Sequence, residues 1–279
     1  MGAIASVDAL VAKMSNSTYT DNLWWFHTDR IAGAASVAPT VGAEISMWPF
    51  DGHPGSGAVP GAIAYPTNVT RGALKQVDPS GGRQKWLAGM GAVQQAGGSL
   101  VLYDRLAHVG GLSSSSTSNQ SISSTITRYT TGIGNQIWLE ISTAPGSPAS
   151  TTWHVDYTDE NDAAATTPEM TIGAANFNGA QRMLRTGLAA VAGAGGRGVK
   201  NVTNFKLAAT SGSGGDYAII VAHPLALIPN LVGGVGDVAS WIQGNLPVEI
   251  LTDACLALMY IPTSTSAGLD TGSLHFIEA

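Results

Sequence analysis

The chain has 279 residues, 44% of them hydrophobic, with 13 Lys and Arg against 19 Asp and Glu for a formal net charge of −6. That balance excludes a generic nucleic-acid binder, which would show a basic stripe. The apolar content and seven tryptophans exclude a disordered chain, and the single cysteine excludes a disulfide framework or a Cys-rich zinc site.

Charged residues make up only 11%, against a usual share of about 25%. They are spread over the roughly 11,000 Å² that a folded chain of this size exposes. So sparse a coat suits a protein partly covered by partners, or one solvated by hydroxyls and amides.

At the start, Ser6 is a good N-cap, and Val7, Leu10, Val11 and Met14 fall at i, i+3, i+4 and i+7. This predicts a short amphipathic helix that must dock on something, since it is too short to stand alone in water. "MGAIAS" also matches the myristoylation pattern at Gly2 and Ser6, but a capped helix accounts for the same residues. No basic segment followed by an apolar core, as in a secretory leader, is visible. In "NLWWFHTDRIAG", Trp24, Trp25 and Phe26 are consecutive. Three adjacent aromatics cannot share one face of a strand or helix, so at least one is expected to meet another layer or another chain.

From Ala34 to Gly82 the chain is rich in Pro and Gly and reads as an extended arm with few regular elements. It carries the cation-rich "TRGALKQVDPSGGRQK", with Arg71, Lys75, Arg83 and Lys85. These are expected either to be solvated or to meet an acidic neighbour. A division into a docking segment, 1–85, and a body, 86–279, follows.

From Trp86 onward short β-type runs alternate with turn clusters. "SLVLYDRLAHV" runs into the uncharged "GGLSSSSTSNQSISS", Gly110–Ser124, expected as a loop or sheet edge solvated by hydroxyls. In "TTWHVDYT", Trp153, Val155 and Tyr157 alternate with His154, Asp156 and Thr158, a half-buried strand. Asn178-Gly179 is a hairpin signal. The most apolar tract, "AIIVAHPLALIPNLVGGVG", is broken by prolines and is not a membrane span. "VEILTDACLALMYI" reads as one strand, apolar on both faces around a buried, inert Cys255. Nine or ten strands with turn-rich spacing predict a mainly β protein: an antiparallel sandwich or jelly roll behind a short helix and an arm.

Motifs for chemistry are weak. "GAGGRG", Gly193–Gly198, lacks the helix and the Lys-Ser/Thr of a phosphate loop. Asp156, Asp159, Glu160 and Asp162 cluster without the spacing of a calcium loop and are expected as a solvated acidic turn. The six histidines are scattered, and Ser213 and Asp216 do not sit in a nucleophile elbow. No catalytic, cofactor or metal residues are assigned, and no enzyme activity is expected.

"GRQKWLAGMGAVQQAGGSLVLYDRL", "GAQRMLRTGLAAVAGAGGRGVKNVTNF" and "DACLALMYIPTSTSAGLDTGSLHFIEA" resemble stretches of virion structural proteins of tailed DNA bacteriophages, a group that includes head decoration and minor capsid proteins. The resemblance spans roughly Gly82 to Ala279 and transfers no site residues. It implies a jelly-roll-like body bound to the capsid lattice, with the major capsid protein and copies of the chain itself as partners, and with no nucleic acid or membrane. The location implied is the virion, after synthesis in the host cytoplasm. Val7, Leu10, Val11, Met14, Trp24, Trp25, Arg71, Lys75, Arg83 and Lys85 are then the expected contact residues. A tail or baseplate component shares the same texture. A carbohydrate-binding β module is a further alternative, with Trp138 and Trp153 as platforms.

Overall fold

The computed structural model describes residues 8, 23–29, 41–79, 81–173, 182–185, 198–230, 232–240, 248–265 and 268–278. The strands begin with β1 (Leu23–Asp29), β2 (Glu44–Ser46), β3 (Gly52–His53), β4 (Ile63–Ala64), β5 (Lys85–Gln94) and β6 (Gly98–Ser113). They continue with β7 (Gln120–Ser121), β8 (Gln136–Thr143), β9 (Thr151–Asp159), β10 (Ala164–Thr166), β11 (Met170–Ile172) and β12 (Arg182–Arg185). The last are β13 (Val199–Leu207), β14 (Asp216–Asn230), β15 (Gly236–Ser240), β16 (Val248–Ile250), β17 (Leu256–Pro262) and β18 (Leu269–Glu278).

The strands form three antiparallel sheets. Sheet I runs β15-β5-β18-β1-β3, with β16 also on β5. Sheet III runs β10-β9-β13-β7, with β11 on β9. Between them, sheet II runs β14-β8-β12-β2-β17-β6-β4, and β6 pairs back onto β14 from Ser113↔Asp216 to Gly98↔Asn230. Sheet II thereby closes into an antiparallel ring. A closed ring removes the unpaired edges that an open sheet would expose.

Strand alternation sends successive residues of the ring to opposite sides. In β8, Ile137, Leu139 and Ile141 face outward; in β14, Tyr217, Ile219 and Val221 do the same. Both sets join Trp153, Val155, Tyr157, Val202 and Phe205 of sheet III in one core. Farther along β6, Leu100 and Leu102 meet Leu256 and Leu258 of β17, with Phe26, Leu87, Met90 and Phe276 of sheet I, in a second. The alternate residues, Tyr103, Trp138, Ala218, Ile220, Ala257 and Met259, form a third cluster inside the ring. The sandwich-like, mainly β architecture expected from the sequence is present.

The strand count is higher than expected because the short pairings of the Pro/Gly-rich segment and of the loops are invisible to hydrophobic periodicity. "VEILTDACLALMYI" is two strands in different sheets: β16 on β5, then β17 on β6. The break falls at Asp253, whose φ is 61°, a conformation that Asp tolerates in turns.

The serine-rich tract is the expected loop and sheet edge, with β7 at the end of sheet III and most of its hydroxyl residues exposed, but two serines depart from that reading. Ser114 and Ser124 are buried, and their hydroxyls bond Gly212 O, Gly215 N and Val202 O rather than solvent. Ile122 and Ile126 anchor the tract in the core against sheet III. Residues 41–79 carry few regular elements, and Met47, Trp48, Ala73 and Leu74 are buried in the same clusters as the body. Val7, Leu10, Val11 and Met14 of the expected helix, and the Asn178-Gly179 hairpin, lie outside the described residues.

Two substitutions test this packing by urea unfolding. Trp153→Ala empties a fully buried site and is expected to cost about 3–5 kcal/mol. A Cβ at Gly110 would lie 1.8 Å from Pro60 O, so Gly110→Ala is expected to cost about 1–3 kcal/mol through overpacking.

Candidate functional site

The densest polar chemistry lies inside the ring. β6 presents Tyr103 and Arg105 there, β8 presents Glu140, and the segment after β2 inserts Trp48. Arg105 and Glu140 are 0% and 1% exposed and form a close ion pair. Arg105 also donates to Tyr103 Oη at 3.2 Å and contacts His108 Nε2 at 3.2 Å. Its guanidinium lies 4.5 Å from the Trp48 ring centroid, a cation–π contact in a dry setting.

Burial works against the Arg105 charge, but Glu140, Tyr103 and Cys255 together outweigh it and hold the guanidinium above its usual value. Burial, and then the Arg105 charge, pushes His108 far below the usual imidazole range. His108 is therefore neutral, with its Nε2 3.2 Å from Arg105 Nη2 and 3.4 Å from Glu140 Oε2. A cluster so enclosed holds its charges in place and does not present them to solvent.

Asp104, next in the chain, points to the other side of β6. It accepts Arg128 Nε and Nη2 at 2.8 Å each and the Cys255 N–H at 2.9 Å. Arg128 Nη2 also donates to Pro66 O and Arg105 O. This bidentate pair ties the 128 loop, β6 and the chain entering β17 together. Cys255 is fully buried, and burial raises its thiol pKa, so it is an unreactive thiol here.

The four cations expected to be solvated or to meet an acidic neighbour divide between those two outcomes. Arg71 and Lys75 are exposed. Arg83 pairs with Glu278 at 3.3 Å. Lys85 is 0% exposed and bonds Gln76 Oε1 at 3.2 Å and the Val77 carbonyl, so it offers no charge to a partner. Its position as the first residue of β5, beside Glu278, draws it inward.

Trp138 and Trp153, the expected sugar platforms, are 1% and 0% exposed and belong to two cores. The register of β1 sets Trp24 opposite Leu274 and Trp25 opposite Ser273. In the acidic turn, Asp159 is buried and its Oδ1 accepts the N–H groups of Asn161 and Ala163, closing the turn on itself. Among the described residues, no three His, Cys, Asp or Glu side chains gather as a metal set. Nor, among those residues, is any helix long and apolar enough to cross a membrane.

One surface was not anticipated. The outer face of sheet I aligns Gly236, Val93 and Thr271 in one row and Val238, Gly91 and Ser273 in the next. Val93 and Val238 are 41% and 56% exposed. The glycines between them leave a shallow depression of about 560 Å³, with Asp237 and His275 the titratable residues lining it. The sequence signal was the alternation Gly89, Gly91, Val93 in β5, which a hydrophobicity pattern does not register because glycine has no side chain to count as apolar or polar. A Cβ at Gly91 would make ordinary contacts, 3.6 Å to Ser273 Oγ and 3.8 Å to Val238 Cγ2. Glycine is therefore not required there by the fold.

No family model and no curated protein matches the chain. Among solved structures, it aligns with the infectious bursal disease virus VP2 subviral particle at 7% identity and a TM-score of 0.17, over 98% of this chain and 86% of that one. At that TM-score the likeness bears on neither fold nor function.

Two outcomes check the buried chemistry. Glu140→Leu leaves Arg105 buried without its counter-charge and is expected to cost about 3–5 kcal/mol in urea unfolding. Arg105→Met combined with Glu140→Leu is expected to recover most of that loss.

The second concerns His223, which stacks on Tyr129 at 3.7 Å and contacts Asn135 Oδ1 at 2.9 Å. Burial lowers it from 6.5 to about 4. The unfolded chain therefore takes up the proton first as pH falls; stability is full above about 6.5 and declines from there toward 4. His108 acts in the same direction. His223→Phe, which keeps the stack, is expected to make the fall of the urea midpoint across that window shallower. An unchanged slope would clear His223 of the effect.

Proposed function

We propose that the chain is a structural component of a tailed-bacteriophage particle, a decoration or cement protein that binds the head lattice without catalysis. Its partners in this reading are the major capsid protein and further copies of itself. The observation that carries the reading is the outer face of sheet I, an apolar depression lined by Val93 and Val238 with Asp237 and His275 as its titratable residues. A contiguous exposed apolar patch marks an interaction site more often than chance.

The sparse charge of the whole surface supports it, as does the resemblance of the sequence blocks. Many symmetric copies turn weak single contacts into firm attachment. The residues expected at the front of the chain, Val7, Leu10, Val11, Met14, Trp24 and Trp25, belong to the same proposal as a second contact. Arg71 and Lys75 remain available as exposed cations.

The test is addition of purified protein to particles that lack it, followed by imaging and sedimentation. Regular copies on the head are expected; copies on the tail would move the protein to a tail or baseplate role. Val238→Glu places a charge in the apolar face and is expected to weaken particle binding at least tenfold, equivalent to about 1.4 kcal/mol. Its thermal unfolding should stay close to wild type, because Val238 is exposed. Wild-type binding by this variant removes sheet I as the docking face, and absence of the chain from particles removes the proposal.

A further inference from the structure

A second concavity, of about 450 Å³, opens between the 56–71 segment and the end of the ring where Trp48 and His108 sit. Its volume lies in the range of small-ligand pockets, about 300–1,000 Å³. Trp48 forms part of its wall, held by a 3.0 Å hydrogen bond from its indole N–H to Ala58 O. Tyr65 lines it as well and is 39% exposed, while its hydroxyl is engaged outside, accepting the Thr125 N–H at 2.7 Å. Ser56, Thr70 and Pro66 line it as well.

Arg71 stands in this lining, and among the described residues no Asp or Glu lines the concavity with it. Most of the other described cations have carboxylates: Arg83 and Lys85 have Glu278, Arg105 has Glu140, Arg128 has Asp104 and Lys200 has Asp162. The contact shown for Arg71 is a 3.4 Å hydrogen bond from Nη2 to Ser56 Oγ, which leaves most of its donor fork available. His108, the other titratable base in the lining, is neutral for the reasons given above.

The position of Arg71 is built. Thr70 N donates to Thr67 O and Ala73 N to Thr70 O, closing a tight turn around it. Gly72 follows at φ +98°, where a Cβ would lie 2.6 Å from Gly57 Cα. The turn is thus pressed against the opposite strand of the loop, and Ala73 and Leu74 behind it are buried.

We infer that this pocket binds a carboxylate-bearing sugar, a uronic-acid-type ring. The Arg71 fork matches a planar carboxylate in a bidentate pair. One cation with no second basic group suits a single negative charge better than a phosphate dianion. The exposed Tyr65 ring offers an apolar face for the C–H side of a pyranose. The Ser56 and Thr70 hydroxyls accept from Arg71 Nη2 and from the Thr67 N–H, which leaves each its own proton to donate to a ring hydroxyl.

The test uses the full-length protein, titrated with methyl glucuronide, methyl glucoside, acetate and inorganic phosphate, and read by tryptophan fluorescence and by NMR. Methyl glucuronide is expected to saturate with a dissociation constant of about 1 mM or tighter. Methyl glucoside and acetate are each expected to bind at least tenfold more weakly. Arg71→Gln, at an exposed residue, is expected to cost at least tenfold for the glucuronide while the unfolding midpoint stays unchanged. Tyr65→Ala is expected to weaken the glucuronide and leave acetate alone. Equal binding of glucuronide and glucoside, phosphate as the tightest ligand, undiminished binding by Arg71→Gln, or no saturation with glucuronide would each overturn the inference. None of these outcomes depends on whether the protein attaches to a phage head.

Discussion

At Asp104 and Arg105 the longest strand of the fold carries opposite charges on opposite faces, and both are buried. A buried charge without a partner costs several kcal/mol. Each therefore fixes where its counter-charge must be. Arg105 requires Glu140 of β8 inside the ring, across the width of β14. Asp104 requires Arg128 on the outer side, and with it the loop carrying Tyr129 and the carbonyl of Pro66. Two neighbouring residues thus set the register of β6 against most of what surrounds it. A one-residue slip would exchange their faces and leave both charges unpaired.

The rest of the packing is arranged about that strand and its partner. β6 and β14 pair along their whole length, and their outer surfaces are covered at one end by sheet III and at the other by sheet I. The inside of the ring is filled by Trp48, Tyr103 and Trp138, with Tyr103 and Trp138 meeting edge to face at 4.6 Å. Three clusters share two strands, so loosening one loosens the supports of the others. That is a reason to expect a single cooperative body across residues 41–278 in the described parts.

The low charge has two sources in the structure. Several of the ionic groups are spent inside, on Arg105–Glu140, Asp104–Arg128 and Lys85 with Glu278, and are lost to the surface. Serine hydroxyls of the tract after β6 satisfy backbone groups of a neighbouring loop and of β13 in place of ions. What remains outside is a polar face on sheet III, where Asp156 bonds Thr166 and Asn204, and an apolar one on sheet I. The asymmetry between these two outer faces gives the particle reading its direction.

The sequence by itself determined the class of the fold. Alternation in Thr151–Asp159 reads directly as buried and half-buried positions in turn, and the run Leu256–Pro262, apolar on both faces, is buried almost throughout, as a strand between layers must be. Local patterning suffices there because the period of a strand is written in its own residues. It did not determine which sheet a run joins: Val248–Ile250 and Leu256–Pro262 are adjacent in sequence yet belong to different sheets. Nor did it determine which charges face water. Lys85 beside Glu278, Arg105 beside Glu140, and Arg71 with no carboxylate beside it among the described residues look alike in one dimension. Only the tertiary structure decided between them, because a charge is buried or exposed according to partners brought from distant segments.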